Sequence, residues 1–404
     1  MEQTWYREAV SQGWYEGPSS SVPQPASTSE DWYQLRDRGW RRSYVTQLTG
    51  GTRGLANMGN TCYMNAVLQC LMHCGMLAEV MLGSEDSTGL PVGIKPQPLT
   101  RAFTEALVEH WRSSHELAFR PQLIKSVMAR SAPQFAGFEQ QDAQEFLVFF
   151  LDALHEELNE VKDKAYKEIQ DDENAQGAER ARAWWAHYES LNQSVVKDIF
   201  VGQLCSRVTC SRCGHVSMVF DPFWSLSIPV PDEASCSLAA CMHAFIAPEN
   251  LSGENRFFCG RCRTHTDCMK QMTLSRCPDV IVVHLKRFQT RGASMQRTRS
   301  TRGSGFSKLA TVVNFPLSDF DLRPFCAQGA HEDTYGYQEP LLYNLIGVVN
   351  HYGASGTHGH YTADCFEPRS DQWFHYDDSS VRALKAETMD QRSAYVMLFA
   401  RATA

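Results

Sequence analysis

The sequence predicts an α+β protein, because helical periodicity dominates its first half and strand-like patterns dominate its second half. In the first half, "CYMNAVLQCLM" and "DAQEFLVFFLDALHEEL" each place their apolar residues on one helix face. In the second half, "FDPFWSLSIPV" and "DVIVVHLKRF" are rich in β-forming residues, and further strand-like segments follow to the end. We expect "DVIVVHLKRF" to form a buried central strand, because it is apolar almost throughout.

Composition and charge narrow the class of protein. The chain has 404 residues, of which 43% are hydrophobic and 21% charged, as in a soluble globular protein with a substantial core. A net charge of −8 argues against nucleic-acid binding, and the sequence has no apolar run long enough to span a membrane. Because the first residues lack a secretion signal, we expect the fourteen cysteines to be reduced thiols or metal ligands in an intracellular, cytoplasmic or nuclear protein.

Residues 1–50 differ from the rest of the chain. A Pro/Ser-rich stretch covers 17–30, and the pair Trp-Tyr occurs three times, at positions 5–6, 14–15 and 32–33. Two interpretations remain open for these aromatic residues. They pack onto the main domain as an irregular arm, or they dock a partner, since Trp and Tyr are favoured anchors in interfaces.

Two Cys-x-x-Cys pairs, Cys210 with Cys213 and Cys259 with Cys262, predict a metal site. Each pair places two sulfurs on one tight turn, which is half of a tetrahedral shell. Four thiolates would leave no open coordination position, so the sequence predicts one structural zinc ion per chain. A redox-active Cys-x-x-Cys is the alternative interpretation.

Cys62 is a candidate nucleophile because it follows Thr61, an acceptable N-cap residue, at the start of a helical period. A helix N-terminus lowers the pKa of a thiol, and the thiolate is the reactive form. A nucleophilic cysteine also needs a base, and "GASGTHGHYTADCF" offers His358 and His360. Of these two, His360 follows a Gly-rich loop and begins a strand.

Two acidic residues and one amide complete this hypothesis. Asp377 and Asp378 in "WFHYDDSSV" lie on the next predicted strand, where an antiparallel neighbour would place a carboxylate beside the imidazole. Asn57 and the backbone N–H of Cys62 are candidate donors for an oxyanion hole. Spacing alone does not identify such a set, and a plain buried thiol at Cys62 is the main rival interpretation.

Residues 52–400 resemble the ubiquitin-specific protease family, the papain-like deubiquitinases. "GLANMGNTCYMNAVLQCL" is similar to the cysteine box of that family, and "GFEQQDAQEFLVFFLDALHEEL" to its Gln-Asp box. "HLKRF", "GHYTA", "WFHYDDSSV" and "AYVMLF" resemble its histidine-box region, and the two Cys-x-x-Cys pairs match its zinc ribbon. The motifs occur in the family's order along the chain.

The resemblance implies a right-hand architecture of thumb, palm and fingers. We expect a thumb at 51–200 with the cysteine and Gln-Asp boxes, fingers at 201–280 with the zinc ribbon, and a palm at 281–404 with the histidine box. The loops 289–307 and 353–359 fall where the family places its blocking loops, beside the channel for the ubiquitin tail.

The resemblance also assigns roles to individual residues. It makes Cys62 the nucleophile, His360 the general base and Asp377 the residue that orients it. Asn57 takes the oxyanion role, and Asp378 is a substitute for Asp377.

The partners that the resemblance implies are ubiquitin and ubiquitinated proteins, and the substrate is ubiquitin in conjugates or chains. Asp142 and Glu145 of the Gln-Asp box would meet the basic ubiquitin tail, where opposite charge favours binding. We expect a monomeric thiol-dependent hydrolase that cleaves after the last glycine of ubiquitin and binds neither nucleic acid nor membrane. A protease for another ubiquitin-like modifier and a non-cleaving ubiquitin-binding module remain alternatives.

Overall fold

A computed structural model describes residues 50–83, 97–112, 117–164, 169, 177–290, 306–327, 341–355 and 358–402. The aromatic arm at 1–49 lies outside the described residues, so both interpretations of it stay predictions. Residues 291–305 and 356–357, which belong to the two predicted blocking loops, also lie outside them. Strands reach to position 355 on one side of the second loop and start again at 358 on the other, so little of 353–359 is loop.

Helices fill the first half of the chain, as predicted. The helices of the described residues are α1 Cys62–Met72, α2 Gly75–Leu82, α3 Pro98–Trp111, α4 Gln122–Ser131, α5 Ala143–Leu158, α6 Gly177–Glu189, α7 Val195–Phe200 and α8 Leu238–Ile246. Among these residues no single helix is long and apolar enough to cross a membrane, and α1 and α2, which meet at 80°, reach that length and hydropathy only together.

Helices α1 and α5 form the centre of this helical region. Every residue of α1 is buried, including its polar side chains. Helix α5 buries the predicted apolar stripe that includes Phe146 and Phe150, and Asp142 caps its N-terminus. The Asp142 Oδ1 atom accepts the backbone N–H groups of Gln144 and Glu145 at 2.8 and 3.0 Å, which satisfies two otherwise unpaired donors.

Strands fill the second half. The strands of the described residues are β1 Gly202–Cys210, β2 Val216–Phe223, β3 Leu226–Pro229, β4 Ser235–Ser237, β5 Glu249–Leu251, β6 Phe257–Cys259, β7 Thr264–Thr266, β8 Cys268–Arg276, β9 Val280–Lys286, β10 Phe288–Thr290, β11 Phe306–Lys308, β12 Val312–Asn314, β13 Phe320–Asp321, β14 Leu342–Ser355, β15 His358–Glu367, β16 Gln372–Asp377, β17 Ser380–Leu384 and β18 Ala394–Arg401.

These strands form two main sheets. The smaller has the antiparallel order β2-β1-β8-β5, and the hairpin of β6 and β7 lies beyond its end. The larger has the order β17-β16-β15-β14-β18-β9-β3, with β13 paired to β14. Only the pairing of β3 with β9 is parallel in this larger sheet as described. The prediction of a buried strand in "DVIVVHLKRF" is confirmed, since β9 lies between β18 and β3 with its apolar side chains buried.

The larger sheet separates two apolar clusters. On one face α1 packs on β14, β15 and β16, and Tyr361, Ala363 and Cys365 of β15 join the apolar core of the other helices. The other face packs against α8 and the segments around β12 and β13. Helix α1 therefore lies directly on the sheet that carries the predicted histidine box.

His73, just after α1, is a buried neutral imidazole in this core. Its Nδ1 atom lies 2.8 Å from the carbonyl oxygen of Gln69, and its Nε2 atom lies 3.0 Å from the hydroxyl of Tyr376. Burial lowers the pKa of His73 to about 4. In the unfolded chain the pKa of histidine is about 6.5, so below that pH the unfolded state binds more protons than the folded state.

We predict that acid weakens the fold through His73. Because its pKa is lower in the folded state, its stabilising contribution is complete above pH 6.5 and is lost as the pH falls towards 4. Lowering the pH from 7 to 5 should cost about 2 kcal/mol of unfolding free energy from this residue. The fall in unfolding free energy from pH 7 to pH 5, measured with urea, should therefore be smaller by about this amount in His73→Gln than in the wild-type protein. An equal loss in both proteins would contradict the prediction.

Candidate active site

The loop before α1 is held by two separate parts of the protein. The backbone N–H of Leu55 donates to the carbonyl of Asp378 at 2.8 Å, and that of Ala56 donates to the carbonyl of Phe119 at 2.7 Å. The chain then turns through Gly59, whose φ of 99° is a left-handed conformation that favours glycine. These contacts fix the path of the chain into Cys62.

Asn57 organises this loop through its side-chain oxygen. The Oδ1 atom accepts the backbone N–H groups of Gly59 and Thr61 at 2.9 and 3.2 Å. Thr61 occupies the N-cap position of α1, as predicted, but its hydroxyl accepts the N–H of Met58 at 2.9 Å and makes no capping hydrogen bond. The side chain of Thr61 therefore closes the loop instead of capping the helix.

Cys62 begins α1 and is 3% exposed. Burial raises the pKa of the Cys62 thiol, and the negative charge of Asp378 raises it further. The backbone N–H groups of Tyr361, Tyr63 and Cys62 itself act in the opposite direction but do not outweigh burial. The start of α1 therefore lowers this pKa as expected, but burial outweighs it, and the net shift is upward because apolar surroundings disfavour the thiolate.

The predicted base and its carboxylate form a direct pair. The Nε2 atom of His360, near the start of β15, lies 2.6 Å from Oδ1 of Asp377 at the end of β16. Both side chains are about half exposed. With Nε2 bonded to the carboxylate, Nδ1 is the ring nitrogen left for proton transfer. Of the two histidines considered, the side chain of His358 lies outside the described part of the structure.

Asp378 connects the loop, the helix and the sheet. It lies in the turn between β16 and β17 with a φ of 50°. Its Oδ2 atom accepts the amide N–H of Asn57, and its Oδ1 atom that of Asn65 in α1, both at 2.8 Å. One potential ligand atom each of His360, Asp377 and Asp378 lies within 4.8 Å of the others. The sequence predicted that both acidic residues belong to the site, but it did not predict that Asp378 binds two asparagines.

Asp142 and Glu145 lie at the start of α5. Asp142 accepts the hydroxyl proton of Tyr395 on Oδ2 in addition to its capping bonds, so it joins α5 to β18. Glu145 is exposed. Their contact with a ubiquitin tail stays a prediction, and the structure gives Asp142 an internal role that the sequence did not reveal.

Gln140 is a site residue that the sequence reasoning missed. Its side-chain amide donates to the carbonyl of Gly359 at 2.9 Å and accepts the N–H of Gly359 at 2.7 Å. Gly359 directly precedes His360. No local pattern links positions 219 residues apart, so this contact became visible only in the folded chain.

The four cysteines of the predicted metal site come together. Cys210 and Cys213 lie where β1 turns into β2, and Cys259 and Cys262 where β6 turns into β7. The Sγ atoms of Cys213 and Cys259 are 3.7 Å apart, those of Cys210 and Cys262 are 4.0 Å apart, and all four lie within 4.8 Å of one another. A tetrahedral shell with Zn–S bonds of about 2.3 Å has sulfurs about 3.8 Å apart, so the cluster fits a metal ion.

The charge of Asp378 acts on the buried Cys62 thiol, and a ligand atom of Asp378 lies within 4.8 Å of the His360–Asp377 pair. A thiol and an imidazole–carboxylate pair that share this neighbour are the groups of a candidate papain-like cysteine hydrolase. The family model for ubiquitin carboxyl-terminal hydrolases matches residues 53–399. The chain belongs to this family, which confirms the resemblance noted in its motifs.

Curated relatives agree with this assignment. Human ubiquitin carboxyl-terminal hydrolase 2 is 37% identical over 352 residues, which cover 86% of this chain and 55% of that protein. The Gallus gallus protein of the same name is 37% identical over 362 residues, covering 89% of this chain and 95% of its own length. Human ubiquitin carboxyl-terminal hydrolase 21 is 32% identical over 385 residues, covering 89% of this chain and 63% of that protein. The chain thus spans about half the length of the first human relative.

Solved structures share the fold. The SAGA Ubp8/Sgf11/Sus1/Sgf73 DUB module bound to ubiquitin aldehyde contains a chain that aligns with a TM-score of 0.66 at 24% identity, covering 88% of this chain and 70% of that one. A variant of the same module, bound to monoubiquitin, aligns with a TM-score of 0.63 at 22% identity over 98% of this chain and 75% of that one. The predicted α+β fold is confirmed.

We predict that Asp378 contributes more to stability than Asp377. In Asp378→Asn an amide replaces one of the two oxygens that accept from the exposed Asn57 and the buried Asn65, so one of these donors loses its partner at a cost of about 1 kcal/mol or more. The matched variant Asp377→Asn changes a half-exposed contact and should cost less than about 1 kcal/mol. Urea unfolding of both variants measures the difference, and equal losses would contradict it.

Proposed function

We propose that this protein is a thiol-dependent deubiquitinase that hydrolyses the bond after the C-terminal glycine of ubiquitin. The observation that carries the proposal is the His360–Asp377 pair, with Asp378 next to it and acting on the Cys62 thiol, in a chain that belongs to the ubiquitin carboxyl-terminal hydrolase family. The relatives' names and the ubiquitin-bound structural neighbours support ubiquitin as the substrate.

The first step is proton transfer from Cys62 to His360. Because burial keeps the Cys62 thiol protonated, an adjacent base is required to form the nucleophile. The thiolate attacks the carbonyl carbon of the last glycine of ubiquitin and gives a tetrahedral intermediate. His360 then gives its proton to the leaving lysine amine, the C–N bond breaks, and a thioester forms. Asp377 keeps the imidazole oriented throughout.

The second step is hydrolysis of the thioester. His360 removes a proton from a water molecule, the resulting hydroxide attacks the thioester carbonyl, and the C–S bond breaks. The thiolate takes back the proton, and ubiquitin leaves with a free carboxylate. The same base therefore serves both halves of the reaction.

Asn57 is positioned to stabilise the oxyanion of both intermediates. Its amide nitrogen carries two N–H groups, and the bond to Asp378 uses one of them. The loop contacts of its Oδ1 atom fix the orientation of the amide, so the second N–H and the backbone N–H of Cys62 are the two donors we assign to this role. Asp378 then acts by holding Asn57 in addition to any direct effect on His360.

In this proposal the protein recognises both the tail and the folded body of ubiquitin. The exposed carboxylate of Glu145 and the acidic start of α5 would attract the basic tail of ubiquitin, and the fingers and palm would hold its folded body. A chain of reduced thiols suits an intracellular enzyme, and the described cysteines are all free.

We predict that Cys62→Ala abolishes turnover because no other group replaces the nucleophile. Release of a fluorophore from a ubiquitin C-terminal amide should fall below detection in this variant, while binding of ubiquitin, measured by calorimetry, remains. Cys70→Ala, a matched change on the same helix, should retain turnover. Turnover by Cys62→Ala would overturn the assignment of the nucleophile.

The same assay separates the alternatives. Electrophilic probes built on ubiquitin and on other ubiquitin-like modifiers should compete for Cys62, and the ubiquitin probe should react fastest. Faster labelling by another modifier would favour a protease for that modifier. Binding of ubiquitin without any labelling would favour a non-cleaving module.

We propose that the four-cysteine cluster binds one structural zinc ion. Its support is the fit of the sulfur spacing and the absence of any other ligand type in the cluster as described. When bound, zinc would link the β1–β2 turn to the β6–β7 turn and would complete the fingers, with no open position for catalysis.

We predict about one zinc ion per chain, and that Cys259→Ser lowers this content strongly because three thiolates and a hydroxyl bind zinc less well. Cys236→Ser changes a half-buried cysteine outside the cluster and should leave the zinc content unchanged. Elemental analysis of the purified proteins measures both. A metal-free, folded wild-type chain would count against the zinc assignment.

A further inference from the structure

Gln140 pairs with the backbone of Gly359 in the way that one strand pairs with another. Its carboxamide accepts the N–H and donates to the C=O of the same residue, at 2.7 and 2.9 Å. Both groups of this one backbone residue are therefore bound by a single side chain. Of the neutral side chains, only an amide offers a donor and an acceptor in this planar arrangement.

The contact lies where β15 pairs with a neighbouring strand on one edge only, and in an irregular register. The pairing of β15 with β16 begins at Ala363, four positions after Gly359. On its other edge β15 pairs with β14, where His360 faces Tyr352 and His358 faces Ser355. The register between the two strands therefore shifts at Gly359. Gln140 thus supplies hydrogen bonds at a position that regular strand pairing leaves irregular.

Gly359 is also confined by β14. A Cβ atom at this position would lie 2.2 Å from Nε2 of His351 and 2.6 Å from the carbonyl oxygen of Tyr352. The backbone of Gly359 therefore packs directly against β14, and Gln140 binds its N–H and C=O groups. The peptide that leads into His360 is held by both contacts.

Gln140 itself is anchored. It lies two residues before Asp142, which caps α5 and accepts the hydroxyl proton of Tyr395 from β18. The segment that carries Gln140 is therefore fixed to both the helix and the sheet. A side chain on such a fixed segment restricts the position of the residue to which it is hydrogen-bonded.

We propose that Gln140 is a positioning residue for His360: it fixes the Gly359 peptide and thereby the placement of the imidazole relative to the Cys62 thiol. The carboxylate of Asp377 holds the tip of the imidazole at 2.6 Å, and the Gln140 contact holds the backbone from which the side chain starts. The same segment supplies the Tyr361 N–H that acts on the Cys62 thiol. This inference rests on the proposed role of His360 as the base.

The first experiment measures turnover of a ubiquitin–fluorophore conjugate. Gln140→Met keeps the length of the side chain but removes both hydrogen bonds, and Gln140→Glu keeps the acceptor but removes the donor. We expect kcat to fall by about 10- to 100-fold in Gln140→Met with KM nearly unchanged, and by less in Gln140→Glu, because misplacement of a catalytic group slows the chemical step. Gln134→Met, the same change at an exposed nearby glutamine, should keep the wild-type kcat.

The second experiment does not depend on ubiquitin. The rate of Cys62 alkylation by iodoacetamide, followed at the Cys62 peptide by mass spectrometry, reports the thiolate that His360 helps to form. In Gln140→Met the pH profile of this rate should shift to higher pH, and Gln134→Met should retain the wild-type profile. A merely structural role would lower the melting temperature without moving this profile.

The outcomes separate the inference from the proposed function. Wild-type kcat and an unmoved alkylation profile in Gln140→Met would overturn the positioning role while leaving the deubiquitinase proposal intact. A raised KM with unchanged kcat would also overturn it. A wild-type protein that cleaves no ubiquitin conjugate, but whose alkylation profile moves in Gln140→Met, would overturn the proposed function and support the positioning role.

Discussion

The joint between the loop that leads into Cys62 and the turn at Asp378 is the constraint on which the rest of the candidate site depends. The carboxylate of Asp378 binds Asn57 in the loop and Asn65 in α1, and its carbonyl binds the N–H of Leu55. Gly54 packs so closely on the same turn that a Cβ atom there would lie 2.6 Å from the carbonyl oxygen of Ser379. This joint brings together two parts of the chain that are more than 300 residues apart in sequence.

The position of α1 has an electrostatic consequence. Complete burial of the helix anchors Cys62 firmly, but it also removes the water that would stabilise a thiolate. The partial positive charge of a helix N-terminus is small compared with the cost of placing a charge in apolar surroundings. Under the proposed mechanism such a thiol depends on a base to remove its proton, which is the role we propose for His360.

Several side chains that resemble parts of a catalytic site also hold the fold together. Asn57 closes a loop with its oxygen and offers N–H groups with its nitrogen. Asp142 caps a helix and binds Tyr395 on the sheet. Polar groups that are buried or half-buried need hydrogen-bond partners. At the border between helices and sheet, the side chains of the candidate site are themselves these partners. The four-cysteine cluster is separate from this network, at the turns of the smaller sheet and its neighbouring hairpin.

The sequence by itself determined the α+β class, the apolar faces of α1 and α5, the buried strand β9 and the composition of the metal cluster. These features depend on local periodicity and on residue types at short spacing, which a linear pattern records directly. Local chemistry offered Cys62, His360, Asp377 and Asp378 as candidates, and motif resemblance assigned their roles. The structure brings His360, Asp377 and Asp378 together and places Asp378 where its charge acts on Cys62.

Only the tertiary structure decided the partners of Asp378, the use of the Thr61 hydroxyl within the loop, and the direction of the Cys62 pKa. It also revealed the contact between Gln140 and Gly359. Each of these depends on which distant segments pack side by side and on how completely they exclude water. The spacing of residues along the chain predicts neither.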